Sequence, residues 1–400
     1  MAPRKHVLVV GGPSTILPKL AALGLRHSMV QLPELVRPEQ YAAAERYGVL
    51  DYRVEAELAA VSRAWHAVDP FDAVVSFTEY GLEPASRTAA DLGVAGDNLA
   101  AVRATRDKTT TRALLDRAGL SPVRYRVCAD VAEASAFLRE VGGPVVLKPR
   151  DRGLSEGVYL VADESDLARR WALTTEVESG AVLVEEFLDG PEFSVESISF
   201  DGAHEIAMIT EKVTTPLPRF VELGHQVPAR LDESTRADVV GLVTRFLDLI
   251  GQTTGPAHTE LRLTRTGPRL IESQTRIGGD QVWELCELVS GVDLMAENIA
   301  HLVGVPRPGR APVASAAAIR FFAHENVLVR DVRDVAAAGT APGVVRVECT
   351  LAAGQELGPL LSSASRQGYV LATGGTVQEA VAAAERARDL VRVKTEPLTA

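Results

Sequence analysis

The sequence predicts a multidomain chain of mixed α/β and α+β class, and three stretches predict it. Near the N-terminus, the apolar run His6 to Val10 leads through Gly11-Gly12-Pro13-Ser14-Thr15 into a helical stretch to about Leu23, then Gly24 and a second apolar run from Met29 to Leu32. That order is the β-loop-α-β opening of an open, Rossmann-like sheet. In the middle, HTELRLTRTGPRLIESQTRIGGD, from His258 to Asp280, holds two runs of period-2 alternation around Arg265-Thr266-Gly267, the pattern of a hairpin. At the end, strands near 315–322, 344–349 and 368–373 precede a helix from Thr376 to about Val391, a small α+β unit. With 400 residues the chain exceeds one ordinary core, because domains average about 150 residues. We expect an N-terminal Rossmann-like domain over 1–97, a helical linker over 98–120, a small subdomain over 121–195, a larger one over 196–310 and the α+β unit over 311–400.

Composition narrows the classes of function. A hydrophobic content of 46% supports large cores, and a formal charge of −11 argues against nucleic acid or an anionic membrane as partner. A local basic pocket can still hold a nucleotide. Cys128, Cys286 and Cys349 are widely separated, with neither a CxxC pair nor a His at metal spacing, and read as buried thiols in a reducing compartment. The opening MAPRKHVLVVGG is too short in its apolar run for a secretory segment, and no apolar stretch approaches about 18 residues. The expected setting is the cytoplasm, with small-molecule partners; a homodimer is compatible with it.

Taken in order, the first glycine pair lacks the GxGxxG spacing, so dinucleotide binding is not expected. Ala73 to Phe77 reads as a buried parallel strand, and Glu79 follows its C-terminal end, where open α/β sheets bind ligands. A carboxylate at a helix start is the alternative for Glu79. Asp97 to Gly119 is helical and carries Lys108. Val145 to Lys148 and Val158 to Val161 are strands around a loop with Gly153, Ser155 and Gly157. Such a loop can offer backbone N–H groups to phosphate, with Lys148 as a point charge at its base. It is not a P-loop, because the Lys precedes the glycines and a strand follows them. A plain hairpin turn with a surface Lys fits the same residues.

Ala181 to Leu188, Pro191 to Phe200 and Ala203 to Lys212 read as a meander with Asp-Gly turns at 189–190 and 201–202. Glu185, Glu186 and Glu192 crowd the first turn; a hinge there can meet an adenine edge and ribose hydroxyls, or form an acidic edge that discourages strand addition. Residues 213–232 read as an irregular Pro-rich loop bearing Glu222 and His225, and loops of that length are uncommon unless functional. Thr235 to Gly251, 281–290 and 294–303 are helices, the last two capped by Gly291 and Gly304.

The 258–280 stretch is the centre of the chemistry. With Arg265-Thr266-Gly267 as a three-residue loop, Thr264 pairs with Pro268, Arg262 with Leu270 and Glu260 with Glu272, while Leu261, Leu263 and Ile271 enter a core. Directly opposed carboxylates ask for a cation between them, and oxygen-only ligands suit Mg²⁺. Gln274 and Arg276 continue the same face, adding a neutral oxygen ligand and a planar cation suited to phosphate. Gly278-Gly279 brings the backbone close before a helix near Asp280. Alternation alone also permits a surface hairpin with solvated charges.

Together Lys108, Lys148 with its glycine loop, Glu185 and Glu192, and the E-x11-E-x-Q-x-R-x-GG run from Glu260 to Gly279 resemble the ATP-grasp superfamily over nearly the whole chain. The resemblance implies the ATP-grasp fold with a pre-ATP-grasp N-terminal domain. It implies that Lys108 and Lys148 contact ATP phosphates under the Gly153–Gly157 loop, that Glu185, Glu186, Leu188 and Glu192 hold adenine and ribose, and that Glu260, Glu272 and Gln274 bind Mg²⁺, two ions, or Mn²⁺ in its place. Gln274 stands where the family usually has Asn. The segment from Phe220 to Ala229 further resembles the L-amino acid ligases, with Glu222, His225 and Arg276 at the substrate, Gly278 and Gly279 beside them and Glu79 as a further contact. Arg276 and His225 are then the catalytic candidates. The implied reaction is ATP-dependent ligation of an amino acid carboxylate to an amine through an acyl phosphate. A purine-pathway or biotin-carboxylase-like ATP-grasp enzyme and an inactive nucleotide-binding regulator are the alternatives.

Overall fold

The computed structural model describes residues 4–153 and 155–398. Met1–Pro3, Leu154 of the glycine loop and the last two residues of the C-terminal unit lie outside them. The apolar opening run forms β1 (His6–Val10), followed by β2 (Arg26–Gln31), β3 (Arg46–Val49) and β4 (Ala73–Val75), all parallel in the order β3-β2-β1-β4. Every residue of β1 and β4 is buried, as helices on both faces require. The helical region expected from Asp97 to Gly119 is two helices, Leu99–Arg106 and Lys108–Arg117. Asp107 separates them: its backbone is extended and its Oδ1 caps Thr109 N at 2.7 Å and Thr110 N at 3.1 Å. Lys108 thereby becomes a first-turn residue.

A four-stranded antiparallel sheet follows, from β5 (Tyr125–Cys128), β6 (Val145–Lys148), β7 (Tyr159–Val161) and β8 (Val182–Glu186), in the order β5-β8-β6-β7. Asp189-Gly190 is not the hairpin turn expected of it. β8 pairs within this sheet, and the next strand, β9 (Glu192–Phe200), belongs to another. Gly190 makes the crossing with φ +142°, and a Cβ there would lie 2.1 Å from the Leu263 carbonyl oxygen. β9 spans the expected division at 195.

β9 joins β10 (Ala203–Thr214), β11 (Glu222–Val227), β12 (Gly255–Thr264), β13 (Gly267–Gln274), β14 (Ala316–Phe321), β16 (Val344–Cys349) and β18 (Gly368–Gly374) in an eight-stranded sheet, β13-β12-β9-β10-β11-β14-β18-β16. β15 (Val327–Arg333), β17 (Glu356–Leu357) and β19 (Arg392–Pro397) form a separate three-stranded sheet. The C-terminal unit thus extends the main sheet rather than standing apart, because β14 pairs with β11. Its helix is Val377–Leu390, packed through Ala380, Ala383, Ala384 and Ala387. Among the described residues no helix is long and apolar enough to cross a membrane.

Two β-bulges correct the expected pairing, and both aim side chains at the same space. In the hairpin the loop is Arg265-Thr266 alone; Thr264 pairs with Gly267 and Arg262 with Arg269. Gly267, at φ +101°, sits on the strand rather than in the loop. A register shift then leaves Ile271 as an extra residue, so Glu260 still faces Glu272 as expected. Leu270, not Ile271, enters the core beside Leu261, and Ile271 turns to the opposite face. Residues 213–232 are not an irregular loop. Glu222 to Val227 form β11, clamped between β10 and β14, and only the flanking 215–221 and 228–232 stay irregular. Thr214 pairs with Glu222 and Val213 with Gly224, so Leu223 is the extra residue. That shift puts Glu222 and His225, three apart, on one face. The helix expected near Asp280 starts at Val282, since Asp280 and Gln281 are left-handed at φ +54° and +61°.

Candidate active site

The four-stranded sheet and the β9–β13 face of the large sheet bound a cleft of about 1180 Å³. Lys108, Lys148, Gly153, Ser155, Glu185, Glu186, Leu188, Glu192, Glu222, His225, Glu260, Glu272, Gln274, Arg276 and Gly279 all line it. Glu79, Gly157 and Gly278 stand behind the lining among the described residues. Residues spread over 172 positions, from Lys108 to Gly279, are therefore brought into one space.

On the glycine-loop side, Lys148 Nζ is 2.7 Å from Glu185 Oε2 and Lys108 Nζ is 3.1 Å from Glu272 Oε2. Lys108 also donates to the Arg152 carbonyl at 2.6 Å, tying the helix start to the glycine loop. Burial pulls the Lys108 pKa down, but Glu272 outweighs it and raises it, so the ammonium stays charged. Gly157 does not face the cleft: it turns at φ +70°, its carbonyl accepts from Thr174 Oγ1 at 3.0 Å, and a Cβ would lie 2.9 Å from Pro149. It anchors the loop, while Gly153 and Ser155 face inward.

Glu185 is buried and fully engaged, with Arg112 Nε at 2.7 Å on one oxygen and Lys148 on the other. Burial raises its pKa; the two cations reverse this and hold it at about 2. Its carboxylate is thus a brace for Lys148. Leu188 O accepts from Arg262 Nη1 at 3.0 Å, and the Arg262 guanidinium lies over Phe187 and Phe220 at 5.2 and 5.4 Å. Glu192 Oε2 accepts from Arg262 Nη2 at 3.0 Å, and Glu192 Oε1 lies 2.8 Å from Lys212 Nζ. Glu186 accepts from Arg124 N at 2.9 Å.

Glu260 and Glu272 face each other on β12 and β13, and Gln274 Nε2 donates to Glu272 Oε1 at 2.6 Å. This orients the Gln274 side chain along the carboxylate pair. Lys212 Nζ reaches Glu260 at 2.7 Å, Glu192 at 2.8 Å and Glu222 at 3.3 Å. Burial opposes its charge, yet three carboxylates raise its pKa well above the ordinary lysine value. Burial likewise raises Glu260, but Lys212 and His258 outweigh it and hold it well below the usual carboxylate range. Two carboxylates and an amide oxygen make a hard-oxygen donor set that fits Mg²⁺.

At the other end, His225 is buried, edge-on to Phe321, with Nε2 3.2 Å from Asp280 Oδ2 and Nδ1 without a partner among the described residues. Arg366 grips Asp280 through both Nη atoms, at 2.8 and 2.5 Å, and donates to the Glu222 carbonyl at 3.2 Å. Ser363 donates to the Glu222 carboxylate. Glu79 is not a lining residue: it accepts from Arg276 Nε at 2.7 Å and Arg106 Nη1 at 2.6 Å, holding Arg276 from behind. Burial raises the Glu79 pKa, and the two guanidiniums more than reverse it. Lys212, Arg262, Asp280, Ser363 and Arg366 escaped the reading of the sequence. A lysine inside the strand pattern of AMITEKVT was the one local signal; Ser363 and Arg366 come from a loop more than 80 residues beyond Asp280 and carry none.

Comparison with known proteins agrees with this geometry. Residues 141–284 match the ATP-grasp domain, and residues 320–396 match the L-amino acid ligase C-terminal domain 2. The first span holds the cleft residues from Val146 to Val282; the second holds Ser363 and Arg366. The chain is 26% identical over 373 residues to an uncharacterized protein of Sinorhizobium fredii, covering 90% of this chain and 76% of that one. It is 27% identical over 247 residues to the alanine–anticapsin ligase of Bacillus subtilis, covering 56% of this chain and 52% of that one. The crystal structure of an L-amino acid ligase from Bacillus licheniformis superposes with a TM-score of 0.84 at 24% identity, covering 98% of this chain and 99% of the other. That likeness shows the fold.

Proposed function

We propose that this chain, an ATP-grasp ligase with the L-amino acid ligase C-terminal domain, joins an amino acid carboxylate to an amine through an acyl phosphate. One observation carries the reading. The paired carboxylates Glu260 and Glu272, the lysines Lys108 and Lys148, and the Glu222, His225 and Arg276 end share one cleft. The alanine–anticapsin ligase relative supports an amino acid as one partner.

The substrate carboxylate oxygen attacks the γ-phosphorus of ATP, the β,γ-bridging P–O bond breaks, and ADP leaves. The amine nitrogen then attacks the carbonyl carbon of the acyl phosphate, phosphate departs with the C–O bonding electrons, and the nitrogen loses a proton. Lys108 and Lys148 hold phosphate oxygens. Glu260, Glu272 and Gln274 would hold magnesium, which would supply positive charge to neutralise the transferring phosphoryl group. Arg276, fixed by Glu79, stabilises the oxyanion where the amine adds. Glu222 pairs with the substrate ammonium, and His225 orients the substrate or accepts the amine proton. The loop bearing Gly153 and Ser155 closes over the phosphates and keeps water from the intermediate.

The test is phosphate release over a matrix of amino acids and amines, followed by mass analysis of the product. With the best pair, a carboxylate-¹⁸O amino acid should pass one label to inorganic phosphate. Amide formation without that transfer refutes the acyl phosphate; no ATP-dependent amide with any pair refutes the ligase assignment to amino acids.

A further inference from the structure

Among the described residues Glu196 on β9 is the one cleft-side carboxylate with no exposed surface at all, and it is used on both oxygens. Oε1 accepts from His258 Nδ1 at 2.5 Å and from Ser194 Oγ at 3.2 Å; Oε2 accepts from Gly278 N at 3.2 Å. His258 stands opposite Glu196 across the β12–β9 pairing, and its Nε2 lies 3.2 Å from Glu260 Oε1. Space for this arrangement depends on Gly278. A Cβ there would lie 2.7 Å from His258 Nδ1 and 3.0 Å from Glu196 Oε2.

Fold stability alone does not account for burying this pair, since well-packed apolar residues of similar volume usually serve as well or better. The pair instead connects two parts of the cleft. Through His258 it reaches Glu260 on the carboxylate face. Through the Gly278 amide it reaches the turn that begins just after Arg276. We propose that Glu196 and His258 are positioning residues: one buried carboxylate orients the imidazole that fixes Glu260, and pins the backbone that presents Arg276. This rests on the reading that Glu260 holds the metal.

Outer hydrogen bonds of this kind are worth about 10-fold to 100-fold in metal affinity when removed. The test titrates Mn²⁺ by electron paramagnetic resonance into the ADP-bound full chain, alongside metal-free ADP binding. Glu196→Gln and His258→Ala should weaken Mn²⁺ by about tenfold with metal-free ADP affinity unchanged, and His258→Gln, which retains a donor toward Glu260, should recover part of the loss. Glu196→Gln should also raise the amino acid KM. Mn²⁺ affinity within twofold of wild type in both Glu196→Gln and His258→Ala, while Glu260→Gln loses it, overturns the positioning role and leaves the proposed function intact. Wild-type Mn²⁺ binding in Glu260→Gln overturns the metal assignment and this role with it. Should the variants fail to fold, ring-¹⁵N resonances of wild-type His258 must still shift when Mg²⁺ is added to the ADP complex; an unmoved ring overturns the proposal.

Discussion

Lys212→Met removes one ammonium from among three carboxylates while keeping most of the side-chain volume. Deleting one partner of a buried ion pair costs about 3–5 kcal/mol, because the remaining charge is left uncompensated. Here each carboxylate retains a second partner: Arg262 on Glu192, His258 on Glu260 and Ser363 on Glu222. The low end therefore applies, about 3 kcal/mol, or roughly 6 °C in Tm at about 2 °C per kcal/mol for a large domain. The pH dependence follows from Glu260. In the wild type its pKa is held below the ordinary value, so its contribution is present above about 4.5 and is lost as pH falls through the folded value. Without Lys212 that carboxylate protonates more easily. The stability gap between variant and wild type should then be fully open above about pH 4.5 and should narrow as pH falls below it. On the proposed metal assignment, magnesium with ADP would place positive charge at the same carboxylate, so it should raise the Tm of the variant more than that of the wild type. Calorimetry across pH, with and without Mg²⁺ and ADP, checks all three. A Tm within 1 °C of wild type at pH 8 would refute the reasoning, as would an equal response to Mg²⁺ and ADP.

Further outcomes are expected at neighbouring residues. Lys148→Ala should weaken ATP binding and also cost stability, since Glu185 is left with Arg112 alone; unchanged ATP affinity by calorimetry removes Lys148 from the phosphate site. Because the Glu185 pKa is depressed to about 2, the wild type should hold this contribution above about pH 4.5 and lose it as pH falls toward 2, and acid unfolding of Lys148→Ala should begin at higher pH. Glu272→Gln should abolish ligation while metal-free nucleotide binding survives; near-normal turnover would sink the metal assignment. His225→Asn should raise the amino acid KM or lower kcat with the ATP KM within about threefold, and equal loss toward both substrates would make His225 a scaffold residue.

How much of this was legible depends on whether the determinant is local. β1, the glycine-capped helices and the facing Glu260 and Glu272 follow from period and composition, and each is found as expected. The route to that carboxylate pair was nevertheless wrong at the turn: a two-residue loop shifts the pairing by one, and the extra residue Ile271 shifts it back. The Pro-rich 213–232 stretch hid β11 because Glu222 and His225, three apart, break the period-2 signature; the bulge at Leu223 breaks it for the same reason that it works, since it turns both side chains one way. Sheet membership was not legible either. Nothing local to Asp189-Gly190 distinguishes a hairpin from a crossing between sheets, because the difference lies in Leu263, whose carbonyl leaves no room for a Cβ at Gly190.

The charges explain why the cleft's cations were only half visible. Each cation read from sequence as a phosphate or substrate contact is met in the fold by a carboxylate: Lys148 by Glu185, Lys108 by Glu272 and Arg276 by Glu79. Such pairing serves two ends. It holds closely spaced cations in fixed orientations, and each carboxylate takes only part of its partner's donor capacity, since an ammonium has three N–H groups and a guanidinium five. Under the proposed function an incoming triphosphate or carboxylate would therefore meet donors already aimed, at the cost of stripping little more than water. Glu185 and Glu79 each brace cations in this way, Glu185 from the cleft lining and Glu79 from behind it. Acidic residues crowded around such a cleft are then as much the frame that aims its cations as they are candidate partners for a ligand.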